Sequence, residues 1–91
     1  MARVLVKVDV RQRASLLRVL REQQPKRAAL GETAFTYGVN NDLRHIGYVT
    51  LEWNSFEGAR HFVDSPHSLH LFKEWPVEEI LEIIKVKDID D

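Results

Sequence analysis

The sequence predicts an α+β subunit of the ferredoxin-like plan, in which a β-α-β-β-α-β chain builds a four-stranded antiparallel sheet with its helices on one face. Three observations lead there. Strict apolar alternation marks a first strand and a later pair of strands. Helical spacing of apolar residues separates the first strand from that pair and follows it. The tail is rich in Ile and Val after a proline, which suits a last strand.

The elements follow in order. "RVLVKVDV" sets Val4, Val6, Val8 and Val10 on one side and Arg3, Leu5, Lys7 and Asp9 on the other. This is the period of a half-buried strand with β-branched residues inward. From Arg11 to Gln24 the period becomes helical, with Ala14, Leu16, Leu17 and Leu20 as the apolar stripe and Arg11, Arg18, Arg21 and Glu22 in water. Pro25 is expected to stop this helix, leaving a connector to Gly31. "ETAFTYGV" alternates again, with Phe35, Tyr37 and Val39 together, and "NNDLRH" supplies turn residues. "IGYVTLEW" then sets Val49, Leu51 and Trp53 opposite Ile46, Tyr48, Thr50 and Glu52, close enough to its predecessor to form an antiparallel hairpin.

Beyond Trp53, either Asn54 or Ser55 can cap a helix, and Glu57 suits its first turn and completes a capping box if Asn54 is the cap. Phe56, Ala59, Phe62 and Val63 form the buried stripe, and His61 pairs with Glu57 one turn away. Ser65 and Pro66 repeat the start signal, Leu69, Phe72 and Trp75 supply the next buried face, and Pro76 ends it. In the tail, Val77, Leu81 and Ile84 fit a helix face while Ile80, Ile84 and Val86 fit a strand; the Ile/Val content favours a strand from about Glu79.

Composition bounds the function. Ninety-one residues form a single domain, 1–91, with 44% apolar and 30% charged residues, the balance of an ordinary globular chain. A domain this small buries only roughly 60–65% of its unfolded surface, so a partner subunit helps it. With no cysteine there is no disulfide framework, thiolate metal site or cysteine nucleophile. Charged residues interrupt the first apolar run and no stretch reaches membrane-span length, so a soluble, cytoplasmic protein is expected. Residues 1–30 hold eight Lys/Arg against Asp9 and Glu22, while the remainder holds five basic and twelve acidic residues. With a net charge of −1 and no nucleic-acid signature, pairing within or between subunits accounts for this asymmetry better than nucleic-acid binding does.

The stretch "LEWNSFEGARHFVDSP", with "VLVKVDV" in first-strand position, resembles the dimeric α/β-barrel proteins similar to antibiotic-biosynthesis monooxygenases. The shared pattern is EW-x-S-x-E-x-A-x-x-F-x-x-SP after a strand, with Gly58 preceding Ala59 here. The order of elements extends the resemblance over nearly the whole chain. It implies a homodimer through facing sheets. The sequence supports this independently, since Leu5 with Tyr48 and Ile46, or with the Val49 set, would leave the uncovered sheet face apolar. Lys7, Asp9 and Glu52 would then be paired charges within the dimer.

Proteins of this group include cofactor-free oxygenases, haem-degrading enzymes, decarboxylases and isomerases. For haem, the resemblance puts a ring-distorting tryptophan near Phe62 and an iron-ligating histidine near Phe72; neither residue type is there. His67, His70 and Glu74, at i, i+3 and i+7, fall within about 60° of one helix face and form a candidate metal set, beside the simpler reading of an exposed polar face. The remaining candidate is a sheet–helix pocket for a small hydrophobic ligand, lined by Trp53, Phe62, Phe72 and Trp75, with Tyr37, Tyr48 or His70 as proton-transfer group and no bound cofactor. Two functions stay open: a cofactor-free monooxygenase-like enzyme, or a non-catalytic ligand-binding or assembly domain.

Overall fold

The computed structural model describes residues 1–89, apart from the side chain of His67. Its elements are β1 (Ala2–Asp9), α1 (Arg13–Ala28), β2 (Glu32–Val39), β3 (Ile46–Trp53), α2 (Phe56–Asp64), α3 (Pro66–Lys73) and β4 (Glu79–Lys87). One antiparallel sheet runs in the order β2-β3-β1-β4, and the fold is the α+β, ferredoxin-like one. The tail is therefore a strand.

Cross-strand register sorts the side chains into two faces. Val4 lies opposite Leu51, Val6 opposite Val49, Phe35 opposite Leu51 and Tyr37 opposite Val49. This face takes the helices, and Val4, Val6, Val8, Leu51 and Trp53 join Leu16, Leu20, Ala59 and Phe62 in the core. Each fully buried aliphatic or aromatic side chain contributes about 1.5–3 kcal/mol by leaving water. On the opposite face the register aligns Leu5 with Thr50 and Ile84, Lys7 with Tyr48 and Glu82, and Asp9 with Ile46 and Glu79. It is the Tyr48–Ile46 set, not the Val49 set, that shares the uncovered face with Leu5. A bulge between Lys7 and Val8 leaves Leu81 without a cross-strand partner in β4.

Local differences from the sequence reading have physical causes. Helix α1 continues through Pro25 to Ala28. The missing amide costs one helical bond, but Arg27 donates to the Leu20 carbonyl at 2.8 Å and to Glu32 at 2.6 Å, which anchors the last turn. The chain then reverses at Gly31, whose φ of 116° suits glycine, and the Gly31 carbonyl accepts the Asn54 amide at 3.0 Å. At α2, Ser55 rather than Asn54 is the cap, its hydroxyl accepting the Gly58 amide at 3.1 Å. Glu57 is occupied by Arg60 at 2.6 Å instead of pairing with His61. In α3 the buried residues are Ser68, Leu71 and Phe72, with Trp75 buried just beyond the helix, while Leu69 is exposed. Ala14 is likewise exposed, and Leu16 and Leu20 carry the α1 core contact.

Candidate functional site

Helix α1 presents two different surfaces to its surroundings. Toward α3 and the start of β2 it builds a buried polar network. The Arg27 and Glu32 side chains are both 0% exposed and lie 2.6 Å apart, and the Arg27 guanidinium also rests 5.3 Å from the centre of the Phe35 ring. Gln23 extends the network: its Nε2 donates to the Leu71 carbonyl (3.0 Å) and to Glu74 (2.8 Å), and its Oε1 accepts from Trp75 Nε1 (2.9 Å). Burial pushes the Glu32 carboxyl above its ordinary range, with Arg27 and then Gln24 opposing that rise. Glu32 Oε2 and the Nε1 of its cross-strand neighbour Trp53 are buried and make no hydrogen bond.

Toward the middle of β2, α1 borders an open groove of about 860 Å³, within the size range of small-molecule sites. Arg13, Ala14, Leu17 and Arg21 form one wall, and Phe35, Thr36, Tyr37 and Val39 the other. Positions 13, 17 and 21 recur every four residues, so they share a helix face. Tyr37 is the unusual member. Its hydroxyl is buried without a hydrogen-bond partner and rests over Gly47, where an added Cβ would run into it. Burial raises the phenol above its ordinary pKa and the Arg13 charge opposes that rise. At neutral pH it is therefore protonated and able to donate. The groove thus presents two guanidiniums around apolar walls, with the Tyr37 hydroxyl buried beneath its surface, and none of its lining residues is a carboxylate or an imidazole.

The other predicted site residues lie elsewhere. Trp53, Phe62, Phe72 and Trp75 form a continuous row with ring centres 5.1, 5.0 and 5.0 Å apart, all buried. Such tilted contacts are the ordinary geometry of packed aromatic rings, and the row is closed in this structure. Tyr48 stands on the uncovered face, accepting from Asn40 Nδ2 at 3.0 Å. It borders a smaller hollow of about 470 Å³ with Leu5, Lys7, Glu82 and Ile84. His70 is exposed, and Glu74 is turned to Gln23; the His67 side chain lies outside the described residues. Among the described residues no group of three His, Cys, Asp or Glu side chains is placed to hold a metal ion, and no helix is long and apolar enough to cross a membrane.

Strand order, helix placement and register together give the fold seen in solved structures described as antibiotic biosynthesis monooxygenases. The match is to solved structures across the whole chain. A candidate antibiotic biosynthesis monooxygenase from Bordetella bronchiseptica aligns at a TM-score of 0.70 and 13% identity, covering 97% of this chain and 96% of that one. Rv0793 from Mycobacterium tuberculosis aligns at 0.66 and 17% identity, covering 99% and 96%. A further structure, of an antibiotic biosynthesis monooxygenase, aligns at 0.63 and 14%, covering 98% and 99%. No family model matches the sequence, and no curated protein matches it.

Proposed function

We propose that this protein handles a small hydrophobic compound in the α1–β2 groove, as a monooxygenase-like subunit that closes its uncovered sheet face with a second copy. The observation that carries the reading is the buried, unpartnered Tyr37 hydroxyl in the wall of an apolar groove. A polar group so placed loses its hydrogen bond to water without replacement, and a ligand oxygen arriving beneath Arg13 would supply one. Tyr37 is the proton-transfer candidate that the groove contains; Tyr48 and His70 lie outside it. The row of Trp53, Phe62, Phe72 and Trp75 is the alternative apolar site, but its rings would have to part to admit a ligand.

In the cofactor-free reaction this fold suggests, the substrate provides the electrons. A doubly benzylic CH2 loses a proton to solvent base, since the groove holds none, and its carbanion reacts with O2. One oxygen atom becomes the new carbonyl and the other leaves as water, so CH2 plus O2 gives C=O plus H2O. Arg13 would favour the carbanion or enolate electrostatically and Tyr37 would donate to its oxygen. Oxygen uptake with anthrone as probe tests this. The expected result is consumption above the uncatalysed rate that falls at least about tenfold in Tyr37→Phe, within the range of a lost proton-transfer group. The groove lacks a carboxylate or imidazole base, which favours a second reading, binding without turnover; anthrone bound with no oxygen uptake would establish it.

The dimer is supported by Leu5, Tyr48 and Ile84 on the uncovered face, with Tyr48 39% and Ile84 43% exposed. Sedimentation velocity at micromolar concentration is expected to show two-subunit particles and, for Ile84→Asp, single subunits, because the charge would be buried unpaired. A single-subunit wild type would end the dimer proposal.

A further inference from the structure

We infer that the α1–β2 groove selects anions, and that its ligand is a planar aromatic acid whose flat body lies on Phe35, Tyr37 and Leu17 while its ionised oxygens meet Arg13 or Arg21. The inference rests on the groove being the site and adds the charge class of what enters it. Arg13 and Arg21 are separated by eight residues of α1, about 12 Å along the helix axis, with Leu17 between them on the same face. The groove therefore has an apolar centre and a cation at each end.

Neither arginine forms an ion pair among the described residues, and β2 brings no acidic residue to the groove. The third arginine near Phe35 behaves differently: Arg27 is engaged by Glu32, Gln23 and the Leu20 carbonyl and holds the ring from within the fold. Phe35 is thus a platform already fixed from inside, beside cations that the protein leaves unneutralised. A guanidinium binds a carboxylate or an acidic phenolate through paired N–H donors, and a ring surface of this kind takes a fused aromatic body by offset stacking. The buried Tyr37 hydroxyl, close enough to feel the Arg13 charge, adds a donor at that end.

The test compares 2-naphthoate with 2-naphthamide, which have nearly the same shape and differ in charge, by fluorescence titration and by amide NMR shifts on the full chain. The expected result is naphthoate binding about tenfold tighter or more at low salt, with the preference shrinking as salt is raised. Arg13→Gln or Arg21→Gln should weaken naphthoate about three- to tenfold and leave naphthamide unchanged. If both probes shift Phe35 and Tyr37 and bind equally, or if neither arginine substitution matters, anion selection is wrong while the groove remains the ligand site. If neither probe shifts groove residues, the groove itself is wrong and the inference falls with it.

Discussion

At the C-terminal end of α1, Arg27 is enclosed, ion-paired to Glu32 and bonded to the Leu20 carbonyl. At the N-terminal end and middle, Arg13 and Arg21 belong to the same helix and carry the same charge, yet border an open groove with no carboxylate beside them. The same side-chain type is thus structural at one end and available at the other. What separates them is the partner β2 offers. Glu32 begins the strand under Arg27, whereas Phe35, Tyr37 and Val39 continue it under Arg13 and Arg21. Burial makes the first guanidinium expensive to disturb, and exposure makes the other two nearly free for binding.

The largest effect is expected at the enclosed end. Arg27→Met leaves the Glu32 carboxylate buried without its counter-charge, beside the unpartnered Trp53 Nε1, and should cost about 3–5 kcal/mol in urea unfolding. The double change Arg27→Met with Glu32→Leu should recover most of that loss, because an apolar pair of similar volume needs no counter-charge. A single substitution costing under about 1 kcal/mol, the range of exposed pairs, would place Arg27 in the same class as Arg13. Next comes the turn that brings Glu32 under Arg27. Gly31 has a φ of 116° and its Cβ position lies 2.8 Å from Asn54 Oδ1, so Gly31→Ala should destabilise by about 1–2 kcal/mol. A neutral result would show that the turn relaxes without disturbing the pair.

A pH dependence sharpens the contrast further. Burial raises the folded-state pKa of Glu32 above its ordinary 4.5, so the native chain keeps this proton to higher pH than the unfolded chain does. Its contribution to stability is then greatest below pH 4.5 and is lost as pH rises through the raised native value. In urea midpoints measured from pH 4 upward, the difference between wild type and Glu32→Gln should therefore move against wild type across that window. A difference moving in wild type's favour would mean that Arg27 dominates and holds the carboxyl below its ordinary range.

How much of this was legible before the structure depends on whether a signal was local. Alternation in "RVLVKVDV" and "IGYVTLEW" sufficed for β1 and β3 because one buried face imposes period two on a strand. The start of α3 at Pro66 was equally readable. Its phase was readable only in part: Phe72 and Trp75 are buried as expected, but Ser68 rather than Leu69 completes the buried face, so apolar character alone misplaced Leu69. The end of α1 was misread for the opposite reason. Pro25 is a strong local stop, and what overrides it is the Arg27–Glu32 contact, which joins helix to strand across Gly31. The groove was hidden for a separate reason: Arg21 looked merely solvated until β2 was seen beside it.

The smallest expected effect tests the available end directly. Arg13 and Arg21 are exposed and make no ion pair among the described residues, so Arg13→Gln and Arg21→Gln should each change the urea unfolding free energy by less than about 0.5 kcal/mol. Glutamine keeps the stem that lies along the groove and removes only the charge. Paired with the loss of several kcal/mol expected for Arg27→Met, such a null result would mean that α1 holds its fold through one arginine and keeps two for something else. If Arg13→Gln instead destabilised by more than about 1 kcal/mol, beyond what an exposed side chain contributes, Arg13 would be serving the fold by covering the Tyr37 hydroxyl. The phenol would then be a packed core group rather than a donor waiting for a ligand, and the two ends of the helix would differ in degree rather than in kind.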